Sequence, residues 1–131
     1  MSGLGFLRQL KKELVSDEER ESRIERTCAA IVSVVSPKLI FVFGSAVSSE
    51  RFDSESDIDC LIVVEQEEQA SRFWKLFGRI RRQVSWPLDI VCLSEAEFAR
   101  KRDLGGVAFV ATHEGRLVYE KSMHQPLVRG S

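Results

Sequence analysis

Apolar residues occur along the chain in two patterns, as short runs and as rows that recur every three or four positions. The run at 39–43 is unbroken, whereas those at 58–64 and 88–93 are each interrupted by one aspartate. Their length and composition predict three buried strands. A weaker alternation over 116–120 predicts an edge strand. Because helical segments separate most of these runs, the predicted fold class is α/β or α+β, while the order of the strands stays open.

Helical spacing predicts helices around these strands. Leucines at positions 4, 7, 10 and 14 indicate a short amphipathic N-terminal helix. A second helix, capped by Ser16 or Asp17, is predicted to run to about Val35 and to end before Pro37. Further helices are predicted over 67–84, 95–102 and 107–113.

Length, composition and charge narrow the class of protein. A chain of 131 residues with 44 % hydrophobic and 30 % charged residues fits one globular domain. The formal net charge of −1 makes whole-surface attraction to nucleic acid or to an anionic membrane unexpected, but it allows a local basic patch. No apolar run approaches the ~20 residues that span a bilayer, and the N-terminus lacks the long apolar stretch of a signal peptide.

The three cysteines favour a reducing compartment. They stand 32 residues apart each time and form no CxxC pair, which argues against a zinc site and against a disulfide framework. An odd number of widely spaced cysteines is typical of cytoplasmic proteins, so we expect a cytoplasmic location without a membrane partner.

Three aspartates stand at the beginnings of two predicted strands. Asp57 and Asp59 flank Ile58, and side chains two positions apart in a strand point to the same face, so these carboxylates lie side by side. Like charges this close disfavour each other's ionisation and require a compensating cation. Asp89 joins the pair if its strand lies beside 58–64. Carboxylate oxygens suit Mg²⁺, so the three together predict a metal site, although an Asp-x-Asp pair alone is common in loops.

Gly44 and Ser45 directly follow the first predicted strand. A glycine lets the backbone approach a ligand closely, and a helix that opens at Ser45 would present free N–H groups to an anion. By itself a Gly-Ser pair usually marks only a turn. The order of strand, Gly-Ser, polar loop, Asp-x-Asp, strand and later strand aspartate is more specific, and it favours a metal site beside a phosphate site.

Two segments resemble the DNA polymerase beta-like nucleotidyltransferase superfamily, most closely its minimal nucleotidyltransferases: FVFGSAVSSERFDSESDIDCLIVV at 41–64 and PLDIVCL at 87–93. The ending HEGRLVYEK at 113–121 is also similar to the last turn and strand of that family. The resemblance implies a nucleotidyltransferase fold, a small mixed β-sheet flanked by helices. The predicted division is a helical extension at 1–24, a nucleotidyltransferase domain at 25–121 and a tail at 122–131, whose last residues resemble a vector-derived remnant.

The resemblance also implies a reaction and a set of ligands. A nucleoside monophosphate, often AMP from ATP, passes to a hydroxyl of a protein or an RNA, and pyrophosphate leaves. Asp57 and Asp59 match the paired catalytic metal ligands, and Asp89 matches the third carboxylate on the acceptor side. Two Mg²⁺ ions held by these residues would activate the hydroxyl and neutralise the leaving pyrophosphate.

The loop after the first strand departs from the family pattern. Gly44 and Ser45 match the residues that hold the triphosphate. Many relatives then carry an arginine-rich segment, whereas this chain has Ala-Val-Ser-Ser at 46–49, and Arg51 is the only basic residue of the loop. Arg51 is therefore the remaining candidate for contact with the nucleotide.

Three functions stay open on the sequence. The first is an enzyme that transfers a nucleotide. Minimal nucleotidyltransferases resemble the antitoxin of a two-gene toxin–antitoxin pair, so a helical HEPN-domain toxin is the expected partner. The second is a partner-binding or nucleotide-sensing module with little turnover, which the missing loop arginines favour slightly. The third is an antibiotic-modifying nucleotidyltransferase, which is less favoured because those enzymes usually carry an added helical domain. A basic row on helix 67–84 suits an RNA acceptor, but such rows are more often solvated faces: Lys75, Arg79 and Arg82.

Overall fold

A mixed four-stranded sheet with helices on both faces forms the fold, which confirms the predicted class. The computed structural model describes residues 13–124. The strands are β1 (Leu39–Phe43), β2 (Ile58–Val64), β3 (Leu88–Ser94) and β4 (Arg116–Glu120). The helices are α1 (Asp17–Val34), α2 (Glu67–Ser71), α3 (Phe73–Arg81), α4 (Glu95–Lys101) and α5 (Gly106–Glu114). Short 3₁₀ helices cover Gly44–Val47 and Lys121–His124.

The strand order is β3-β2-β1-β4, an order that the sequence pattern had left open. The strand β1 runs antiparallel to both β2 and β4, whereas β2 and β3 are parallel and are connected through α2 and α3. The predicted edge strand is therefore confirmed as β4, on the far side of β1 from the acidic strands. Residues 44–57 connect β1 to β2 and pass over one end of the sheet.

One face of the sheet packs against α1 and α3. Inward-facing strand residues, among them Val42, Cys60 and Ile62, form a core cluster with Ile31 of α1 and Ile80 of α3. Helical spacing thus brings one apolar stripe of each helix onto the sheet.

The other face is covered by α4 and α5. Phe41, Leu61 and Val63 point to this side and pack with Phe98 of α4 and Ala111 of α5. Burial on both faces explains why β2 is apolar at every position except Asp59 rather than alternating between apolar and polar residues.

The helix predicted over 67–84 is two helices. It breaks at Arg72, and α3 ends at Arg81, after which a turn leads to β3. The Ser71 hydroxyl donates to the Glu68 carbonyl oxygen at 3.1 Å, and side-chain bonds of this kind compete with regular helix geometry. The break places Phe73 in the core, where only 8 % of it is exposed.

The N-terminal region differs from its prediction where it is described. Residues 1–12, which hold most of the predicted amphipathic helix, lie outside the described residues, as do residues 125–131. Leu14, the last leucine of that row, is not helical but forms an isolated antiparallel bridge with Asp53. The next helix begins at Asp17, and Ser16 caps it by accepting from the Glu19 N–H at 3.1 Å, as predicted. The division at 24/25 falls within this continuous helix and stays a prediction.

The helices of the described residues can be compared with the length and hydrophobicity of a membrane span. None of the helices formed by residues 13–124 combines the length and the hydrophobicity needed to cross a bilayer.

A buried hydrogen bond between α1 and the turn before β3 yields a stability prediction. The Trp86 indole N–H donates to the Thr27 hydroxyl at 2.9 Å, and both side chains are buried. We expect Thr27→Val to lower the free energy of unfolding by about 1–3 kcal/mol, because it leaves the indole N–H buried without an acceptor. Urea denaturation measures this change.

The control is a double-mutant cycle with Trp86→Phe. In that background no donor remains, so Thr27→Val is expected to cost little. An equal cost in both backgrounds would show that the loss at Thr27 has nothing to do with this hydrogen bond.

Candidate metal and nucleotide site

Three carboxylates converge at the end of the sheet where β2 and β3 begin. Asp59 and Asp89 are register partners in the parallel pair, and Asp57 lies two positions before Asp59. One carboxylate oxygen from each residue lies within 4.8 Å of the other two. Asp57 and Asp89 are exposed and Asp59 is half-buried, so the group is open to solvent on one side. The structure therefore brings all three predicted residues together.

The core on the opposite face fixes this arrangement. Ile58 lies between the first two aspartates and is fully buried, and its N–H donates to the Pro87 carbonyl oxygen at 3.0 Å. That bond aligns the first residue of β2 with the first residue of β3. Because side chains alternate across a strand, burial of Ile58 and Cys60 forces Asp59 to the other side.

Burial and like charges act together on Asp59. Desolvation, followed by the nearby charges of Asp89 and Asp57, raises the pKa of its carboxyl from 3.8 to about 6. The site thus holds more negative charge than its surroundings neutralise. A cation bound between the carboxylates would remove this repulsion.

Gly44 lies against the acidic group. The residue before it, Phe43, pairs with Asp59 across β1 and β2. Gly44 has a φ of +69°, and a Cβ atom built on it would lie 2.5 Å from Asp59 Oδ2. Only glycine avoids both the unfavourable backbone angle and the collision. The close approach in the structure is to the Asp59 side chain, and approach of a ligand to the Gly44 backbone stays a prediction.

The other two candidates for nucleotide binding, Ser45 and Arg51, have fewer observed links to the acidic group than Gly44 has. Ser45 is half-buried in a single 3₁₀ turn, Gly44–Val47, rather than at the start of a longer helix. Arg51 is exposed, and its side chain forms no ion pair with another residue of 13–124. The structure thus places Ser45 next to the acidic group through Gly44, and it leaves Arg51 in solvent on the connecting loop.

The basic row on α3 stays away from the core. Lys75, Arg79 and Arg82 are exposed, and Lys75 lies over the ring of Trp74, which is 72 % exposed. The other tryptophan, Trp86, is a core residue. These positions describe a solvated face and identify no ligand.

Sequence reasoning missed two features near the site. The first concerns Trp86, three positions before Asp89. The guanidinium groups of Arg23 and Arg26 lie over its ring, with their Cζ atoms 5.4 and 5.1 Å from the ring centroid. The second feature is a hydrogen-bonded turn formed by Asp53 and Ser56, directly before Asp57. The spacing Asp-x-x-Ser was a usable signal for this turn, since aspartate side chains commonly bond backbone groups two or three residues ahead.

The donor set fits a hard divalent cation. Carboxylate oxygens are the ligands that Mg²⁺ takes from proteins, usually one or two with the remaining positions left to water and phosphate. Three converging carboxylates, one with a raised pKa, match this requirement. The three cysteines lie outside this group, because Cys28, Cys60 and Cys92 belong to or pack against the core cluster on the α1 side of the sheet.

Substitution of Gly44 tests the close approach. We expect Gly44→Ala to destabilise the protein by about 1–3 kcal/mol, because the new methyl group adds backbone strain and displaces the Asp59 carboxylate. Gly106→Ala is the matched control: its φ is +77°, but a Cβ there meets nothing within 4 Å. Mn²⁺ binding, followed by calorimetry, should weaken in the first variant only. Equal loss in both variants would assign the effect to backbone strain alone.

Removal of the Asp59 charge tests the repulsion. The folded-state pKa lies above the ordinary value, so the native state holds its proton more tightly and stability falls as pH rises from about 4 through about 6. With metal chelated, we expect Asp59→Asn to be more stable than the wild type by about 1 kcal/mol above that range, a figure reduced for solvent screening. The difference should vanish below about pH 4.

Thermal unfolding over this pH range measures the effect, with the exposed Asp103→Asn as a control for loss of a distant charge. A constant difference between wild type and Asp59→Asn at every pH would contradict a raised pKa.

Comparisons with known proteins assign the family. No curated protein matches the chain. A crystal structure at 1.40 Å resolution, of a protein named as a putative nucleotidyltransferase from Sulfolobus solfataricus, aligns with 78 % of this chain and 86 % of its own, at 22 % identity and a TM-score of 0.49. The family described as "Polymerase beta, Nucleotidyltransferase" matches residues 27–124, which include all three aspartates and Gly44. Because this match covers about three quarters of the sequence, the chain belongs to the polymerase beta nucleotidyltransferase family.

Proposed function

We propose that the chain transfers a nucleoside monophosphate, with ATP as the expected donor, to a hydroxyl group of a protein or an RNA. The family supplies the reaction class. The observation that carries the proposal is the convergence of Asp57, Asp59 and Asp89 within 4.8 Å, directly beside the backbone of Gly44.

The three aspartates divide the work by their position. Asp57, directly before β2, and Asp59, within it, would hold one Mg²⁺ ion on the side of the triphosphate and share a second ion with Asp89. Asp89 comes from the neighbouring strand, is exposed, and would complete the ligand set on the side of the acceptor hydroxyl. Bound divalent ions supply Lewis acidity, which lowers the pKa of a coordinated hydroxyl and neutralises a leaving pyrophosphate.

The segment after β1 would hold the triphosphate. Because Gly44 has no side chain, the backbone of this segment lies close to the Asp59 carboxylate, and a triphosphate bound to the metal ions would lie beside the Gly44 backbone and the Ser45 hydroxyl. Arg51 lies on the same connecting loop and supplies its only cationic side chain. We propose these three residues as the nucleotide-binding set.

A second candidate function is a partner-binding module with little turnover. The observation that favours it is the loop itself, whose segment 46–49 has no basic residue and whose Arg51 points into solvent. Weak binding of the triphosphate would leave the acidic group assembled but would make nucleotide transfer slow. A HEPN-type toxin as the partner, with this chain as its antitoxin, fits either candidate and stays a proposal.

Label transfer separates the two candidates. The protein is incubated with ATP labelled on the α-phosphate, Mg²⁺ and candidate acceptors, either RNA or a co-expressed protein. We expect labelled acceptor with the wild type and a loss of at least about a hundredfold in the double variant Asp57→Ala/Asp59→Ala, because the charge stabilisation at the reacting phosphate is gone. The label position distinguishes nucleotide transfer from phosphate transfer.

Two controls complete the experiment. Asp103→Ala removes an exposed carboxylate outside the site and should leave transfer unchanged, while a chelator should abolish it. Tight binding of a partner without transfer by either form would contradict the enzymatic proposal and support the binding module.

A further inference from the structure

We infer that Asp53, together with a short backbone pairing to the N-terminal segment, positions Asp57 for metal binding. The inference rests on the proposed function, because it concerns the ligand that Asp57 provides. Two structural features support the inference, and both involve the connection between β1 and β2. We name them the loop clasp, residues 13–15 paired with 52–54, and the Asp53 turn, residues 53–56.

The loop clasp ties the connection to the beginning of the described chain. The Val15 N–H donates to the Phe52 carbonyl oxygen at 3.0 Å, and the Ser54 N–H donates to the Glu13 carbonyl oxygen at 3.2 Å. Between them, Leu14 and Asp53 form an antiparallel bridge. Phe52 is fully buried in the core cluster on the α1 side of the sheet, and Val15 packs against the same cluster. The clasp is therefore anchored to the core by its side chains.

The Asp53 turn begins where the clasp ends. Asp53 Oδ1 accepts from the Glu55 N–H at 2.8 Å and from the Ser56 hydroxyl at 3.2 Å. The Asp53 N–H donates to Ser56 Oγ at 2.9 Å, and the Ser56 N–H donates to the Asp53 carbonyl oxygen at 3.1 Å. Four hydrogen bonds thus define four residues that belong to no helix or strand.

Asp57 follows this turn directly and depends on it. On its C-terminal side the backbone is fixed by the bond from Ile58 to Pro87. On its N-terminal side the first anchor is the Asp53 turn, and beyond that the loop clasp. Because the side chain of Asp57 is exposed, its position follows mainly from the backbone on both sides. A shift of about 1 Å in a ligand-bearing backbone is enough to weaken a site of this kind.

Asp53 acts through geometry rather than through its charge. The group of carboxylates that can share one ion is Asp57, Asp59 and Asp89 among the described residues, and Asp53 is outside it. Its Oδ1 is directed to Glu55 and Ser56. Asparagine retains an equivalent oxygen without the charge, whereas alanine lacks both, so the two substitutions separate position from electrostatics.

The first experiment compares Asp53→Asn with Asp53→Ala. Mn²⁺ affinity is measured by electron paramagnetic resonance, and amide hydrogen exchange is followed at residues 55–57 in the metal-free protein. We expect Asp53→Asn to bind Mn²⁺ within about twofold of the wild type and Asp53→Ala to bind about tenfold more weakly, the usual range for residues that orient metal ligands. Exchange at 55–57 should accelerate in the alanine variant only.

The second experiment tests the loop clasp. Val15→Pro removes the N–H that bonds to Phe52, and Val15→Ala keeps that N–H while shortening the side chain. We expect faster exchange at 55–57 and weaker Mn²⁺ binding in the proline variant, relative to the alanine variant. Thermal unfolding of each variant is recorded beside these measurements, so that a globally destabilised protein is recognised.

Each outcome bears on the inference in one direction. Equal weakening by Asp53→Asn and Asp53→Ala would assign the effect to charge and overturn it, as would unchanged Mn²⁺ affinity in both. Absence of Mn²⁺ binding by the wild type overturns the proposed function instead. Amide exchange then still decides whether Asp53 orders the backbone at Asp57, and unaltered exchange in Asp53→Ala rejects that as well.

Discussion

Repulsion among three carboxylates is the constraint on which the rest of this structure depends. Asp59 and Asp89 face each other across a parallel strand pair, and Asp57 stands two residues away on the same side. This arrangement opposes folding unless the strands are held in register by other interactions. Burial is the largest cause of the raised pKa of Asp59, and the nearby charges of Asp89 and Asp57 raise this pKa further.

The hydrophobic core supplies the opposing force. Every residue of β2 other than Asp59 is buried, and the strand lies between two apolar clusters. Slipping β2 by one position would move Asp59 into the core and Ile58 or Cys60 out of it, which burial of an unpaired charge forbids. The three carboxylates therefore remain close, because a shift in strand register that separated them would raise the free energy more than their mutual repulsion does.

The residues beside the acidic group offer it space but few cationic side chains. Gly44 leaves room where a side chain would strike Asp59, and segment 46–49 of the loop that follows contains no cationic residue. Cationic side chains gather instead around Trp86, on the α1 side of the sheet. The match to the polymerase beta nucleotidyltransferase family, over residues 27–124, spans both the acidic group and this loop.

The sequence by itself determined the strands, the main helices and the three aspartates. Short apolar runs and helical spacing depend on local periodicity, which a single chain displays directly. What the pattern could not decide was strand order, since the connection at 44–57 is long enough for either neighbour. Nor could it decide the break at Arg72, or the pairing of Leu14 with Asp53 at a position where the leucine spacing predicts a helix. Those features arise from contacts between residues distant in the chain. Only the tertiary structure, by setting Asp89 in register with Asp59, turned three separate acids into one site.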